Sequence, residues 1–321
     1  MPNTSIDVGA LPIILSRDCA TSTERAAIRA GTANKQLTRI HRGVYVPTEF
    51  YAVADARTRY VCLAAAAELM SPTTVVFSHA SAAALWRLPW VGAWPQRASV
   101  TIDDSQRRSS NSLVARHAAV ALGDCDAIDG YTVTSLDRTV ADLSAHLPFG
   151  RAVALADAAL RRTDHPLIGV PRSWLTKDDL LVASSALPLN HGQAKALRVA
   201  AFADGRADRP GESLSRATMC AARIPPPVLQ AELLGASGRR YTVDFWWPEH
   251  NVFGEFDGWA KYEDPAFLAG RTPQEALRDE KRREDDLRAP GRGCARWDWT
   301  VAQSVPLLRA RLGTAGVRPT K

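Results

Sequence analysis

Between Tyr241 and Tyr262 the chain reads YTVDFWWPEHNVFGEFDGWAKY, and three of its carboxylates, Asp244, Glu255 and Asp257, are spaced for joint chemistry. Tyr241, Val243, Phe245 and Trp247 alternate with Thr242, Asp244 and Trp246, and such aromatic and β-branched residues suit a pleated strand. Pro248 cannot donate to a ladder, so residues 248–251 form the natural turn. A four-residue loop sets Trp247 opposite Val252, Asp244 opposite Glu255 and Thr242 opposite Asp257. Period two also puts Glu255 and Asp257 on one face of their strand. Carboxylates that close repel one another unless something positive lies between them. A divalent cation, Mg²⁺ or Mn²⁺, is one answer, since Mg²⁺ takes one or two carboxylates and keeps waters for a phosphate substrate. The other is a solvated strand face, its acids held apart by screening and by arginines. Lys261 falls four residues beyond Asp257, in a chain with six lysines against thirty-four arginines. A lysine beside metal-bound carboxylates can stabilise charge on a phosphoryl oxygen or orient the attacking water.

The elements around this stretch carry a resemblance. A Val-Asp-Phe strand followed by Glu-Phe-Asp-Gly resembles the core of the PD-(D/E)xK nuclease superfamily, particularly its very-short-patch-repair-like branch. Upstream, Pro210-Gly-Glu-Ser-Leu-Ser-Arg216 is similar to that core's first helix, which implies Glu212 as a further or water-bridged ligand. Downstream, residues 280–285 and Ala295-Arg-Trp297 are similar to its closing helix and strand, with Lys281 and Arg282 as candidates to point toward the acids. The resemblance covers residues 205–315 and implies Asp244, Glu255 and Asp257 at the metal, with Lys261 polarising water or stabilising the pentavalent phosphorus. One departure stands out. The superfamily has lysine two residues after the motif acid, where this chain has Asp257. Either Lys261 or Lys281 substitutes, or the fold is kept for binding and the chemistry is lost.

The 321 residues predict two or three domains, each able to bury a core. The formal charge of +6 is compatible with nucleic acid without being diagnostic. Cys19, Cys62, Cys125, Cys220 and Cys294 lie far apart with no C-x-x-C pair, which argues against zinc fingers and a disulfide framework and predicts a reducing cytoplasm. Residues 1–10 lack a basic segment before an apolar core, and no uncharged apolar run reaches spanning length, so neither a secretory signal nor a membrane partner is expected.

Near the amino terminus, Thr21-Ser-Thr-Glu24 has the form of a capping box opening a helix to about residue 30, which Gly31 would end. Residues 35–47 then read as a hairpin turning at His41-Arg-Gly43. Helix then basic hairpin is the layout of a winged helix-turn-helix, in which the helix enters the major groove of duplex DNA and the wing touches backbone. Arg25 and Arg29, one turn apart, are the groove candidates; Lys35, Arg39 and Arg42 suit phosphate. A capping subdomain whose arginines only solubilise it is the bland alternative. Residues 37–47 resemble the wing of AbiEi-type antitoxins, the regulatory half of type IV toxin–antitoxin pairs. Ser78-His-Ala-Ser-Ala-Ala and Val133-Thr-Ser-Leu-Asp-Arg-Thr-Val-Ala-Asp-Leu143 extend that resemblance over residues 10–165, and it implies a cognate toxin as a partner.

The expected fold is therefore a multidomain α+β or α/β protein: a winged helix-turn-helix over 1–50, an α/β middle domain over 51–200 that includes a linker, and a PD-(D/E)xK-like domain over 205–315. Prolines 166, 171 and 188 and the Gly/Asp/Arg cluster at 204–211 mark the linker, with one helix within 173–186. His79 between Ser78 and Ser81 lacks an acid partner at defined spacing, so a satisfied histidine is expected there. Two functions remain open: a DNA-binding protein with Mg²⁺-dependent phosphodiester hydrolysis, or a non-catalytic antitoxin-like autoregulator whose nuclease-like domain only binds DNA or a toxin.

Overall fold

The computed structural model describes residues 11–102, 110–118, 125–161, 175–257 and 272–320. Lys261, like the arginine-bearing loop at 107–108, lies outside them. The chain is a mixed α/β protein of two compact units that interleave along the sequence. One gathers described residues between 11 and 146 and between 175 and 200; the other gathers 147–161 and 201–320. No helix among the described residues is long and apolar enough to cross a membrane.

The amino-terminal unit opens with strand β1 (Ile14–Leu15) and helix α1 (Ser22–Ala33). The predicted capping box closes reciprocally: Glu24 N–H donates to Thr21 Oγ1 and Thr21 N–H to the Glu24 carboxylate. The helix does not stop at Gly31, however. That residue is buried inside it, and a Cβ there would lie 3.1 Å from Cγ and Cδ1 of Leu37, so glycine serves close packing rather than termination. Strands β2 (Leu37–His41) and β3 (Val44–Pro47) form the expected hairpin, and β1 adds to β3 to give an antiparallel sheet in the order β1-β3-β2. After α2 (Thr48–Val53) and α3 (Ala56–Met70), strands β4 (Val76–Phe77), β5 (Ala98–Ile102), β6 (Val114–Ala118), β7 (Cys125–Ile128) and β8 (Tyr131–Thr134) build a mixed sheet ordered β6-β5-β4-β8-β7. Helix α4 (His79–Leu85) packs on it through an alanine-rich face, and Trp86 behind it is fully buried, its indole N–H donating to Thr134 O. His79 is half-buried and stacks on the ring of His117, 3.7 Å between centroids, with Nδ1 at 3.1 Å from Ser78 Oγ. Helix α5 (Leu136–His146) follows, then α6 (Phe149–Arg161), which belongs to the other unit. The stretch read as a linker is more ordered than expected. It holds α7 (Lys177–Ser185) and α8 (Gln193–Phe202), and Ala183, Leu187 and Ala196 share a small core with Ala141 and Ala145 of α5. Alanine lets these helices approach closely, and Pro188 marks the corner between them, whereas Pro166 and Pro171 lie outside the described residues.

The carboxy-terminal unit is a four-stranded sheet, order β12-β11-β10-β9, covered by helices on both faces. Helix α9 (Pro210–Ala221) leads into β9 (Val228–Leu234), β10 (Arg240–Trp247) and β11 (Val252–Phe256). Helix α10 (Pro273–Arg288), opened by a capping box from Thr272 to Glu275, precedes β12 (Gly293–Trp297), α11 (Trp299–Ala302) and α12 (Val305–Thr314). Next to the turn the β10–β11 register is the predicted one, Trp247 facing Val252 and Phe245 facing Gly254 around a turn ending in left-handed Asn251, but the ladder stops there and does not include the expected Asp244–Glu255 and Thr242–Asp257 pairs. Strand β12 stops at Trp297, because Asp298 caps α11 and takes Trp299 out of the strand. One core joins Met219, Phe245, Trp247, Val252 and Trp297 to Leu308 and Leu312 of α12; the other joins Ala231, Leu233, Val243 and Phe253 to Leu287 of α10. Gly254 sits where any side chain would collide: a Cβ would meet Trp297 Cη2 at 2.7 Å and Trp247 Cζ3 at 3.0 Å. Both rings are buried and have nowhere to swing. Gly254→Ala is therefore expected to lower stability by about 1–3 kcal/mol through overpacking, measured as a denaturation midpoint followed by tryptophan fluorescence. An unchanged midpoint would contradict this packing.

Candidate functional site

The acids of the carboxy-terminal unit divide into two sets, and the division begins in the backbone. Leu229 and Phe245 pack in the core on the α9 side, whereas Ala231 and Val243, two residues away on each strand, pack on the α10 side. Strand periodicity alone would keep each pair on one face. The change falls at Gln230 and Asp244, where Gln230 adopts φ 49°, a left-handed conformation uncommon for a residue with a side chain. Irregularities of this kind re-aim side chains within a sheet.

The first set is Glu212 with Asp244. Glu212 sits in the first turn of α9 and is only 3% exposed. Gly211 before it lets the Phe256 ring close over the helix, since a Cβ would lie 2.1 Å from that ring. Glu212 Oε2 accepts from Asp208 N–H at 2.9 Å and from Gln230 Nε2 at 3.0 Å. Burial, then the Asp244 charge, pushes the Glu212 carboxyl up to about 8. Asp244 is half-buried and its Oδ2 accepts the Phe256 N–H at 2.8 Å, tying β10 to β11 beyond their ladder.

The second set is Glu255 with Asp257, and arginines hold it. Glu255 is 6% exposed; Arg283 Nη2 stands 2.6 Å from its Oε1 and Arg296 Nη2 2.9 Å from its Oε2. Arg296 also contacts Glu280, reaches Glu284 Oε2 at 3.1 Å, and stands 3.8 Å from Asp257 Oδ2. Arg283 adds a hydrogen bond to Thr242 O at 2.6 Å and an ion pair to Glu280 at 3.4 Å. Burial works against both guanidinium charges, but Glu255 and its neighbours outweigh it and hold both pKa values above the ordinary arginine value. Among the described residues no three histidine, cysteine or acidic side chains are grouped to hold a metal ion.

Sequence reasoning selected Lys281 and Arg282 to face the acids, and the helix turns them away. Lys281 is exposed, and Arg282 is 82% exposed, with Asp279 at 4.0 Å. The inner face of α10 runs through buried Ala276 and Leu287, which at helical spacing brings Glu280 and Arg283 inward. Those two anchors were the available signal. Arg296 was missed, because it reaches Glu255 only through the parallel pairing of β12 with β11. Gln230 carried no sequence signal.

In the amino-terminal unit, Arg25 and Arg29 lie on the solvent side of α1, while Lys35 follows the helix and Arg39 and Arg42 lie in the hairpin and its turn. All five are exposed, and among the described residues none forms an ion pair with a carboxylate. Arg25 donates to Cys19 O at 3.2 Å, and its charge also acts on the neighbouring Glu24 carboxylate.

The Glu212 arrangement has a measurable consequence. Its folded pKa lies above the ordinary value of 4.5, so between about 4.5 and about 8 the native state binds more protons than the unfolded chain. Stability then falls as pH rises through that window. Glu212→Gln removes this slope, and its urea midpoint should move above that of the wild type toward pH 8 and beyond. Parallel midpoint profiles from pH 5 to 9 would show that Glu212 does not titrate there.

No known family model matches the chain. Two proteins of Mycobacterium tuberculosis are similar to it: "Uncharacterized protein MT2308" of strain CDC 1551 / Oshkosh and "Uncharacterized protein Rv2248" of strain ATCC 25618 / H37Rv, each 30% identical over 155 residues. The match takes in 48% of this chain and 51% of each relative, so the chain spans about half the length of the curated relatives it matches. Among solved structures, the crystal structure of the RV2827C protein from Mycobacterium tuberculosis is similar with a TM-score of 0.35 and 14% identity, over 63% of this chain and 74% of that one.

Proposed function

We propose that this protein binds duplex DNA through α1 and the β2–β3 hairpin, as an antitoxin-like transcriptional regulator with a nuclease-like carboxy-terminal unit. The observation that carries the reading is the set of five exposed cations, Arg25, Arg29, Lys35, Arg39 and Arg42, without carboxylate partners among the described residues. Cations so placed neutralise phosphates and release counterions, which makes binding steeply salt-dependent. Helix–hairpin order supports a winged-helix docking mode, with α1 at the groove and the hairpin on the backbone. The resemblance to AbiEi-type antitoxins adds a cognate toxin as the expected protein partner. For the double variant Arg25→Ala/Arg29→Ala, affinity should fall for every duplex tested. The slope of log K against log salt should become shallower by about 2. An unchanged slope would remove these arginines from the interface.

A second reading, metal-dependent phosphodiester hydrolysis in the nuclease-like unit, is favoured by Glu212. A buried carboxyl held protonated beside Asp244 is a group that a divalent cation would ionise. Glu212 and Asp244 would hold Mg²⁺ or Mn²⁺, which when bound supplies Lewis-acid stabilisation of the phosphoryl oxygens. Glu255 would join only by exchanging an arginine contact, and Lys261 would be the candidate to orient water. Calorimetric titration of Mn²⁺ at pH 7, repeated in buffers of different ionisation enthalpy, reads the proton that Glu212 gives up. The expected result is release approaching one proton, with binding and release both lost in Glu212→Gln. Heat-silent titrations, or binding without proton release, would leave the regulator reading to stand without hydrolysis.

A further inference from the structure

The carboxy-terminal unit contains a cavity of about 550 Å³ whose lining includes none of the acids of either set, within the usual size range of small-molecule sites. Its walls come from the end of α8, the second half of α9 and the segment leading into β9. Phe202, Met219, Ile224 and Pro227 give it an apolar lining, with a proline surface beside a thioether that favours ring edges. Its charged groups are three guanidiniums and one carboxylate: Arg206, Arg216, Arg223 and Asp204.

Two of these arginines are already occupied. Arg206 is bidentate on Asp204, at 3.0 and 2.7 Å. Arg216 is buried, pairs with Asp157 at 2.7 Å, donates to Phe202 O, and lies over the Phe202 ring at 4.8 Å. Arg223 is different. Its side chain is exposed and has no carboxylate partner among the described residues. The residue follows the last turn of α9, where helix carbonyls would ordinarily repel an anion. Here those carbonyls are engaged. Ile224 N–H donates to Met219 O, Arg223 N–H to Cys220 O, Arg309 to Ala222 O, and Thr320 N–H and Oγ1 to Arg223 O. The negative end of the helix is thereby covered, and one guanidinium remains at the mouth of an apolar cavity.

We propose that this cavity binds a small aromatic anion, a flat ring carrying one phosphate or carboxylate, with the ring between Phe202, Met219 and Pro227 and the head group on Arg223. Its lining includes none of the residues invoked for DNA or metal. The backbone of Arg223 supplies a clean control. With φ 55° it sits in the left-handed region, which glycine adopts freely, so Arg223→Gly deletes the charge without straining the helix end.

Phenyl phosphate is titrated by calorimetry into the full-length wild type and into Arg223→Gly, with inorganic phosphate and phenol as the two half-ligands. Saturable binding of phenyl phosphate is expected, about tenfold or more weaker in Arg223→Gly, whose melting temperature should match or exceed that of the wild type. Each half-ligand should bind the wild type at least about tenfold more weakly than phenyl phosphate. The assignment fails if phenyl phosphate does not saturate, if Arg223→Gly binds it equally well, or if inorganic phosphate alone matches it.

Discussion

An ionised carboxylate within a covered sheet cannot stand alone, and the carboxy-terminal unit is arranged around that constraint. Stripping water from Glu255 would cost several kcal/mol if nothing replaced it. Arg283 from α10 and Arg296 from β12 do so, one on each carboxylate oxygen. The contact ties three elements to one side chain, since Glu255 is on β11. It also sets the rotation of α10, because only one orientation lets Arg283 reach inward while Leu287 enters the core beside it. Arg283 and Arg296, with Arg288 on Glu284, face the four acids Glu255, Asp257, Glu280 and Glu284 and leave the cluster one charge acidic even when paired. The pairs therefore satisfy geometry and burial without emptying the region of negative charge.

The two acid sets illustrate how environment divides identical groups. Glu255 is buried with two arginines, whereas Glu212 is buried with Asp244, Asp208 and a neutral amide. At Glu212 desolvation and like charge together oppose ionisation. The switch at Gln230 and Asp244 makes this possible. A regular ladder would turn Leu229 and Ala231 to one face, yet the two pack in different cores. The irregular residue donates its own amide to Glu212, so the backbone feature and the buried acid belong to one arrangement.

Much of the local structure was legible because it depends on neighbours in sequence. The turn at Pro248 carried enough information to set the β10–β11 register, and Thr21 with Glu24 marked the start of α1. What escaped depends on distant partners. Gly31 reads as a stop until Leu37 is known to press against it. Lys281 and Arg283 are indistinguishable as members of a charged run until the inner face is fixed by Ala276 and Leu287. Asp244 and Glu255 do lie on adjacent strands, as their spacing indicates, with Asp257 just beyond the second, and Glu212 lies on the helix that the resemblance implied. Which of them is paired with arginine depends on helix rotation and parallel pairing, and neither is a property of a short motif.

One further regularity joins the two units. After α1, α4 and α9 the chain turns through Lys35, Arg87 and Arg223, each with positive φ, where glycine is the usual residue. In each case the following N–H closes on the carbonyl five residues back: Gln36 on Gly31, Leu88 on Ala83, Ile224 on Met219. A side chain in this conformation costs roughly 1 kcal/mol relative to glycine. A cation at the negative end of a helix returns about 0.3–1 kcal/mol. The two effects are close enough that a basic residue there is nearly neutral for folding. Selection for stability alone therefore does not explain the choice, whereas a positive charge held at a fixed exit angle does something glycine cannot. Lys35 and Arg223 are the two whose side chains reach solvent without an acid partner among the described residues. They are also the positions at which the proposed DNA surface and the proposed anion site would each use a cation presented by rigid backbone.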